Sequence, residues 1–110
     1  MLKIVILEDE APARKKLKTF LQKIEESNEV VKELETIQEA LTFFQTKPKI
    51  DLILSDIELR DGNVFEIYNQ VKIDAPIIFL TAYDNFWMNA FETNGIAYLI
   101  KPFSFSRFVF

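Results

Sequence analysis

The sequence contains no cysteine and no histidine. Without cysteine there are no disulfides, no thiolate metal sites and no cysteine nucleophile. Without histidine, Ser-His-Asp and Cys-His catalysis are excluded, together with the usual zinc sites. Only two glycines occur, Gly62 and Gly95, which rules out glycine-rich phosphate cradles of the GxGxxG and P-loop kinds. No apolar run approaches the roughly 18 residues that a membrane span needs. The start, "MLKIVILEDE", lacks the apolar h-region and small-residue cleavage site of a signal peptide. Positive charge is also in short supply: the formal net charge is −4, against a nucleic-acid-binding surface on this chain. Any chemistry must therefore come from carboxylates, hydroxyls, amines and the backbone.

What is present suffices for one domain with a core: 110 residues, 49% apolar and 27% charged. "KIVIL" (Lys3–Leu7) is a β-branched apolar run, the pattern of a strand covered on both faces. Ala13, Leu17, Phe20, Leu21 and Ile24 then recur at helical spacing, with Pro12 suited to the first turn. "EVVKEL" reads as a second, less apolar strand at an edge. Ile37, Ala40, Leu41 and Phe44 mark a second helix ending before Pro48. "DLILSD" is a third strand, and "DGNVFEIYNQVK" a third helix with Val64 or Phe65, Tyr68 and Val71 inward. "PIIFLT" is a fourth strand. "NFWMNAFETNG" is a short helix closed by Gly95, "AYLI" a fifth strand and "PFSFSRFVF" the start of a fifth helix. Strands alternating with helices predict an α/β fold: a doubly wound parallel sheet with right-handed crossovers and helices on both faces.

In such sheets ligands sit outside the carboxyl ends of the strands. Glu8 and Asp9 follow the first strand, Asp56 ends the third, Thr81 the fourth, and Lys101 the fifth. Taken singly, each has a bland reading. An acid at a strand end is more often a cap or a solvated loop residue, Thr81 an ordinary strand-end threonine, and Lys101 a solvated lysine. Together on one rim they form a kit for phosphoryl transfer. Clustered carboxylates repel without a cation, and an all-oxygen donor set selects a hard ion, Mg²⁺ or Mn²⁺. A carboxylate serves as nucleophile, while hydroxyl, amine and metal neutralise the transferring oxygens.

Four stretches, "ILEDE", "LILSDIELRDG", "FLTAYDN" and "YLIKPF", resemble the receiver domain of bacterial response regulators over essentially the whole chain. The segment from Thr81 to Phe103 is most similar to receivers of the LytTR class. The resemblance implies a CheY-like, flavodoxin-like sheet with strand order 2-1-3-4-5. It implies that Asp56 takes a phosphoryl group from a sensor histidine kinase. Glu8 and Asp9, with Asp56 and the backbone carbonyl of Glu58, would hold Mg²⁺. Thr81 and Lys101 would bind the phosphoryl group, Thr81 and Tyr98 would form the switch, and the Lys101–Pro102 peptide would be cis. It further implies a cytoplasmic signalling switch rather than a turnover enzyme, read out on the surface of the fourth helix, fifth strand and fifth helix. That surface would also serve a homodimer. Residues 1–110 would be the receiver, with its last helix cut short, and DNA would be met only through a C-terminal effector domain outside this sequence.

The sequence departs from the family's pattern. Leu59-Arg60 stand where many receivers have Met-Pro, Asn63-Val64 occupy the stretch where a glycine is common, and Glu58 adds a carboxylate beside the site. The crowded aromatics Phe103, Phe105, Phe108 and Phe110 read first as core packing. Trp87 and Phe108 are the candidates for a dimer surface, although the i, i+4 spacing of Trp87 and Phe91 also fits a buried helix face. "RKKLK" reads as a solvated helix face near the kinase-docking side. Two rival functions fit some of these features: a Mg²⁺-dependent phosphohydrolase with an aspartyl nucleophile, and a degenerate receiver acting as a binding module.

Overall fold

A computed structural model of the chain describes residues 1–82 and 95–101. Seven strands and three helices are described: β1 (Leu2–Leu7), α1 (Ala11–Lys23), β2 (Asn28–Leu34), α2 (Ile37–Gln45), β3 (Leu52–Ser55), β4 (Glu58–Leu59), β5 (Gly62–Asn63), α3 (Phe65–Tyr68), β6 (Ile77–Thr81) and β7 (Gly95–Ile100). Five strands form a parallel sheet in the order β2-β1-β3-β6-β7. With β6 and β7 as the fourth and fifth main strands, this is the expected 2-1-3-4-5 order. β2 lies at the edge, and its alternating exposure explains its weaker apolar signal.

The side-chain alternation of the strands divides the core between two faces. Ile4, Ile6, Leu54, Ile78 and Leu80 pack with Leu17, Phe20 and Leu21 of α1. Val5, Leu7, Ile53, Ile77 and Phe79 pack with Ile37, Ala40 and Phe44 of α2 and Phe65 and Ile67 of α3. Helices therefore cover both faces, and the central strands read as continuous apolar runs because neither side meets water.

The two longer helices start differently. α1 has Pro12 in its first turn and no side-chain cap. α2 begins with a capping box: Glu39 N donates to Thr36 Oγ1 at 3.1 Å, and Glu35 N donates to Glu39 Oε1 at 3.3 Å. It ends before Pro48 with Lys47 at φ 54°, the left-handed conformation common just past a helix terminus.

The third helix is shorter than the sequence suggests. "DGNVFEIYNQVK" predicts a helix from Asp61 to Lys72, but its Gly62–Asn63 form β5, paired antiparallel with β4, and α3 spans only Phe65–Tyr68. Local hydrogen bonding explains the shift. Asp61 turns away to accept from Ile37 N at 2.7 Å and Gln38 N at 3.3 Å, so it caps α2 instead. Gly62 has φ 152°, which no helix permits. Asn63 Oδ1 accepts from Phe65 N at 2.8 Å, and Glu66 Oε2 accepts from Asn63 N at 3.0 Å, which fixes the helix start two residues after Asn63. The inward positions still hold: Val64 and Phe65 are buried, and Tyr68 and Val71 pack against the same cluster. Gly95, expected to close the fourth helix, is the first residue of β7, in register with Ile77. The expected fourth and fifth helices, with Trp87, Phe91, Phe103, Phe105, Phe108, Phe110 and the Lys101–Pro102 peptide, lie outside the described residues.

Candidate functional site

The carboxyl ends of β1, β3, β6 and β7 bring the site together. β1 runs apolar to Leu7 and then delivers Glu8, which is only 1% exposed. A buried carboxylate needs partners. Glu8 Oε1 accepts from Lys101 Nζ at 2.5 Å, and Glu8 Oε2 accepts from Glu10 N at 3.2 Å. Burial pushes the Glu8 carboxyl above its ordinary range. Nearby Asp56 pushes the same way, and Lys101 opposes both.

Asp56 follows β3 and shares the same lysine, with Lys101 Nζ donating to Asp56 Oδ2 at 2.8 Å. Burial alone would lower the pKa of Lys101, but its hydrogen bonds to Asp56 and Glu8 outweigh that and raise it. The lysine is therefore a fixed positive charge between two acids. Thr81 is fully buried at the end of β6, and its carbonyl accepts from Lys101 N at 2.7 Å, tying the two residues at one rim. Tyr98 is half-buried in β7, opposite Phe79, and packs on the α2–α3 side of the core.

The structure thus brings together Glu8, Asp56 and Lys101 by direct contact and sets Asp9 and Thr81 at the same strand ends. Carboxylate oxygens of Glu8, Asp9 and Glu10 lie within 4.8 Å of one another. That all-oxygen donor set fits a hard divalent cation and offers nothing to a soft one. Glu10 was not foreseen from the sequence; its signal was the third position of the "EDE" triplet. Asp56 is joined to this cluster through the shared lysine.

The unusual residues after Asp56 find structural partners. Leu59 is buried in the core with Ile57 and Val64. Arg60 is exposed and pairs with Glu35 Oε1 at 3.5 Å. Glu58 is half-buried in β4, opposite Asn63. Of "RKKLK", Lys15 and Lys16 are exposed as expected, but Arg14 turns inward: its Nη1 donates to the Glu8 carbonyl at 2.9 Å and pairs with Glu35 at 3.2 Å, and its Nε pairs with Glu33 at 3.3 Å. Sequence reasoning also missed Ser55 as a polar group behind Asp56. The signal was a hydroxyl at an inward position of an otherwise apolar strand.

Known proteins share this fold. The family described as response regulator receiver domain matches residues 4–109. The chain is 38% identical over 113 residues to the sensory transduction protein LytT of Bacillus cereus, covering 99% of this chain and 45% of that protein. It is 40% identical over 111 residues to the sensory transduction protein LytR of Streptococcus mutans, covering 94% and 44% respectively. The chain thus spans less than half the length of these curated relatives. Among solved structures, the response regulatory domain of protein mrkE from Klebsiella pneumoniae superposes with TM-score 0.84 at 27% identity, covering 98% of this chain and 89% of that one. The non-phosphorylated HemR receiver domain from Leptospira biflexa gives 0.78 at 27% identity, with 99% and 89% covered.

Proposed function

The chain belongs to the response regulator receiver domain family, and on that premise we propose that Asp56 accepts a phosphoryl group and works as a signalling switch. The observation that carries this reading is the Lys101 ammonium held between Asp56 Oδ2 and Glu8 Oε1 beside a cluster of acids. Lys101 holds the Asp56 carboxylate at the rim through its bond to Oδ2. One carboxylate oxygen attacks phosphorus, and an Asp56 O–P bond forms. The bond from phosphorus to the donor breaks, and the donor leaves with its electron pair. Lys101 and the Thr81 hydroxyl then donate charge-assisted hydrogen bonds to the new phosphoryl oxygens. Glu8 and Asp9, with Asp56 and the Glu58 carbonyl, are the groups that would hold Mg²⁺ or Mn²⁺, with Glu10 close by. When bound, the ion supplies charge neutralisation at the transferring oxygens.

The phosphoryl group acts by favouring one of two states, in which Thr81 is drawn toward it and Tyr98 follows inward. The donor is a sensor histidine kinase in the cytoplasm. Residues 1–110 form the receiver of a longer protein whose effector domain binds DNA, and the surface around β7 transmits the change, in part through a homodimer. This is a switch rather than a turnover enzyme.

The test is incubation with Mg²⁺ and acetyl phosphate, followed by intact-mass analysis. The expected result is a gain of one phosphoryl group, absent in Asp56→Asn and absent when the metal is chelated. Uptake that persists in Asp56→Asn overturns the assignment of Asp56. Steady hydrolysis of generic phosphomonoesters favours a hydrolase, and neither uptake nor hydrolysis favours a degenerate binding module.

A further inference from the structure

Every polar atom of Asp56 is held. Its N–H donates to the Leu7 carbonyl at 2.9 Å, Oδ1 accepts from Ile57 N at 2.6 Å, and Oδ2 accepts from Lys101 Nζ at 2.8 Å. Its carbonyl accepts from Ser55 Oγ at 2.8 Å, and Ser55 Oγ in turn accepts from the Tyr68 hydroxyl at 3.0 Å. A serine hydroxyl has one proton. Because that proton goes to the Asp56 carbonyl, the bond with Tyr68 must run from the phenol, and the direction of the chain is fixed. Burial pushes the Tyr68 phenol well above its ordinary range, with Ser55 opposing, so the phenol stays protonated and remains a donor.

We propose that Tyr68 and Ser55 form a positioning relay from α3 to the main chain of Asp56, setting the aim of the acceptor carboxylate. The proposal rests on the reading of Asp56 as phosphoryl acceptor. Packing alone does not explain Tyr68. Its ring meets Phe79 edge-on, with centroids 5.9 Å apart, and phenylalanine would make the same contact. Nor does packing explain Ser55, which is fully buried on a strand of apolar neighbours. Such a hydroxyl costs free energy unless both its donor and acceptor capacity are used, and here they are. Among the described residues, the relay is also the one arm on Asp56 that originates in a helix. The other three come from main-chain amides and carbonyls at the strand ends and from Lys101.

A relay of this kind affects the reaction through the geometry of the acceptor, not through donor binding. The experiment measures the rate of phosphoryl uptake from acetyl phosphate with Mg²⁺ as donor concentration is varied, per folded molecule as judged by thermal melts. Tyr68→Phe is expected to lower the maximal rate about five-fold and to leave the half-saturating donor concentration unchanged, because small misplacements of a reacting group are costly. Ser55→Ala is expected to do the same. Because the two groups act in series, the double variant should be no slower than the slower single variant. A wild-type maximal rate in Tyr68→Phe overturns the relay, even if its melting temperature falls, and so does a double variant whose losses multiply. An effect confined to the half-saturating concentration also overturns it. Failure of the underlying reading looks different: Asp56→Asn would then still take up the phosphoryl group.

Discussion

Ile53 and Leu54 are adjacent in β3 and equally buried, but they face opposite sides of the sheet. Leu54 faces α1 and packs with Leu17, Phe20 and Leu21. Ile53 faces α2 and α3, and two residues further on, at the same alternation, comes Ser55 with its bonds to Tyr68 and Asp56. The helices differ in the same sense. α1 has no side-chain cap and is held by its apolar stripe and the Arg14 contacts, whereas α2 has a capping box and a second cap from Asp61. Beneath Leu54 the α1 face is a packed floor, with Arg14 bonded to the Glu8 carbonyl at the rim. The other face carries a buried polar chain, Tyr68 to Ser55, that reaches Asp56 from below. On the proposed relay, a buried hydrogen-bonded residue couples the core to the site without touching the ligand, which a leucine cannot do.

The comparison is broken most forcefully by truncation. Leu54→Ala is expected to cost about 3 kcal/mol, read by denaturant unfolding, because a fully buried leucine leaves a cavity. Phosphoryl uptake per folded molecule should be unchanged. Ile53→Ala should cost a similar amount and also slow uptake, because its cavity opens on the side where Tyr68 packs. Equal effects of the two variants on uptake would erase the distinction between the faces. A smaller effect is expected at Asp61. Asp61→Ala leaves Ile37 N and Gln38 N without their carboxylate partner and should cost about 1–2 kcal/mol, since Thr36 still caps the helix. Uptake should again be unaffected, because this cap supports α2 and not the relay.

The packed floor was legible in the sequence to a degree that the polar connections were not. The alternation of strands and helices and the convergence of Glu8, Asp9, Asp56, Thr81 and Lys101 on one set of strand ends follow from apolar periodicity and from where each run stops, whereas the strand order was implied only by the resemblance to receiver domains. Periodicity has no access to bonds formed across long sequence separations. Asp61 looks like the opening of a helix because Asp-Gly is a turn signal, and it caps a helix 24 residues earlier. Tyr68 was correctly placed on the inner face of a helix, but that spacing does not reveal that its hydroxyl finds Ser55, 13 residues away. Arg14 belongs to a basic run that reads as solvated, and only the folded edge of β2 brings Glu33 and Glu35 to it.

The gentlest test of the polar face uses alkaline pH. Burial raises the Tyr68 phenol above its ordinary 10, so the folded protein keeps this proton where the unfolded chain has lost it. The unfolded state then binds fewer protons than the folded state, and stability falls as pH rises. The contribution of Tyr68 is complete below pH 10 and is lost as pH climbs from there toward the raised folded value. Tyr68→Phe lacks the group, so its stability should fall less steeply between about pH 9 and about pH 11, by at most about 1.4 kcal/mol per pH unit. Every other ionisable group is common to both proteins and drops out of the difference. Denaturant midpoints across this range measure the two slopes. Parallel curves would mean that the phenol is solvated in the folded protein; Ser55 would then have lost its buried donor, and the α3 side of the sheet would be as passive a floor as the α1 side.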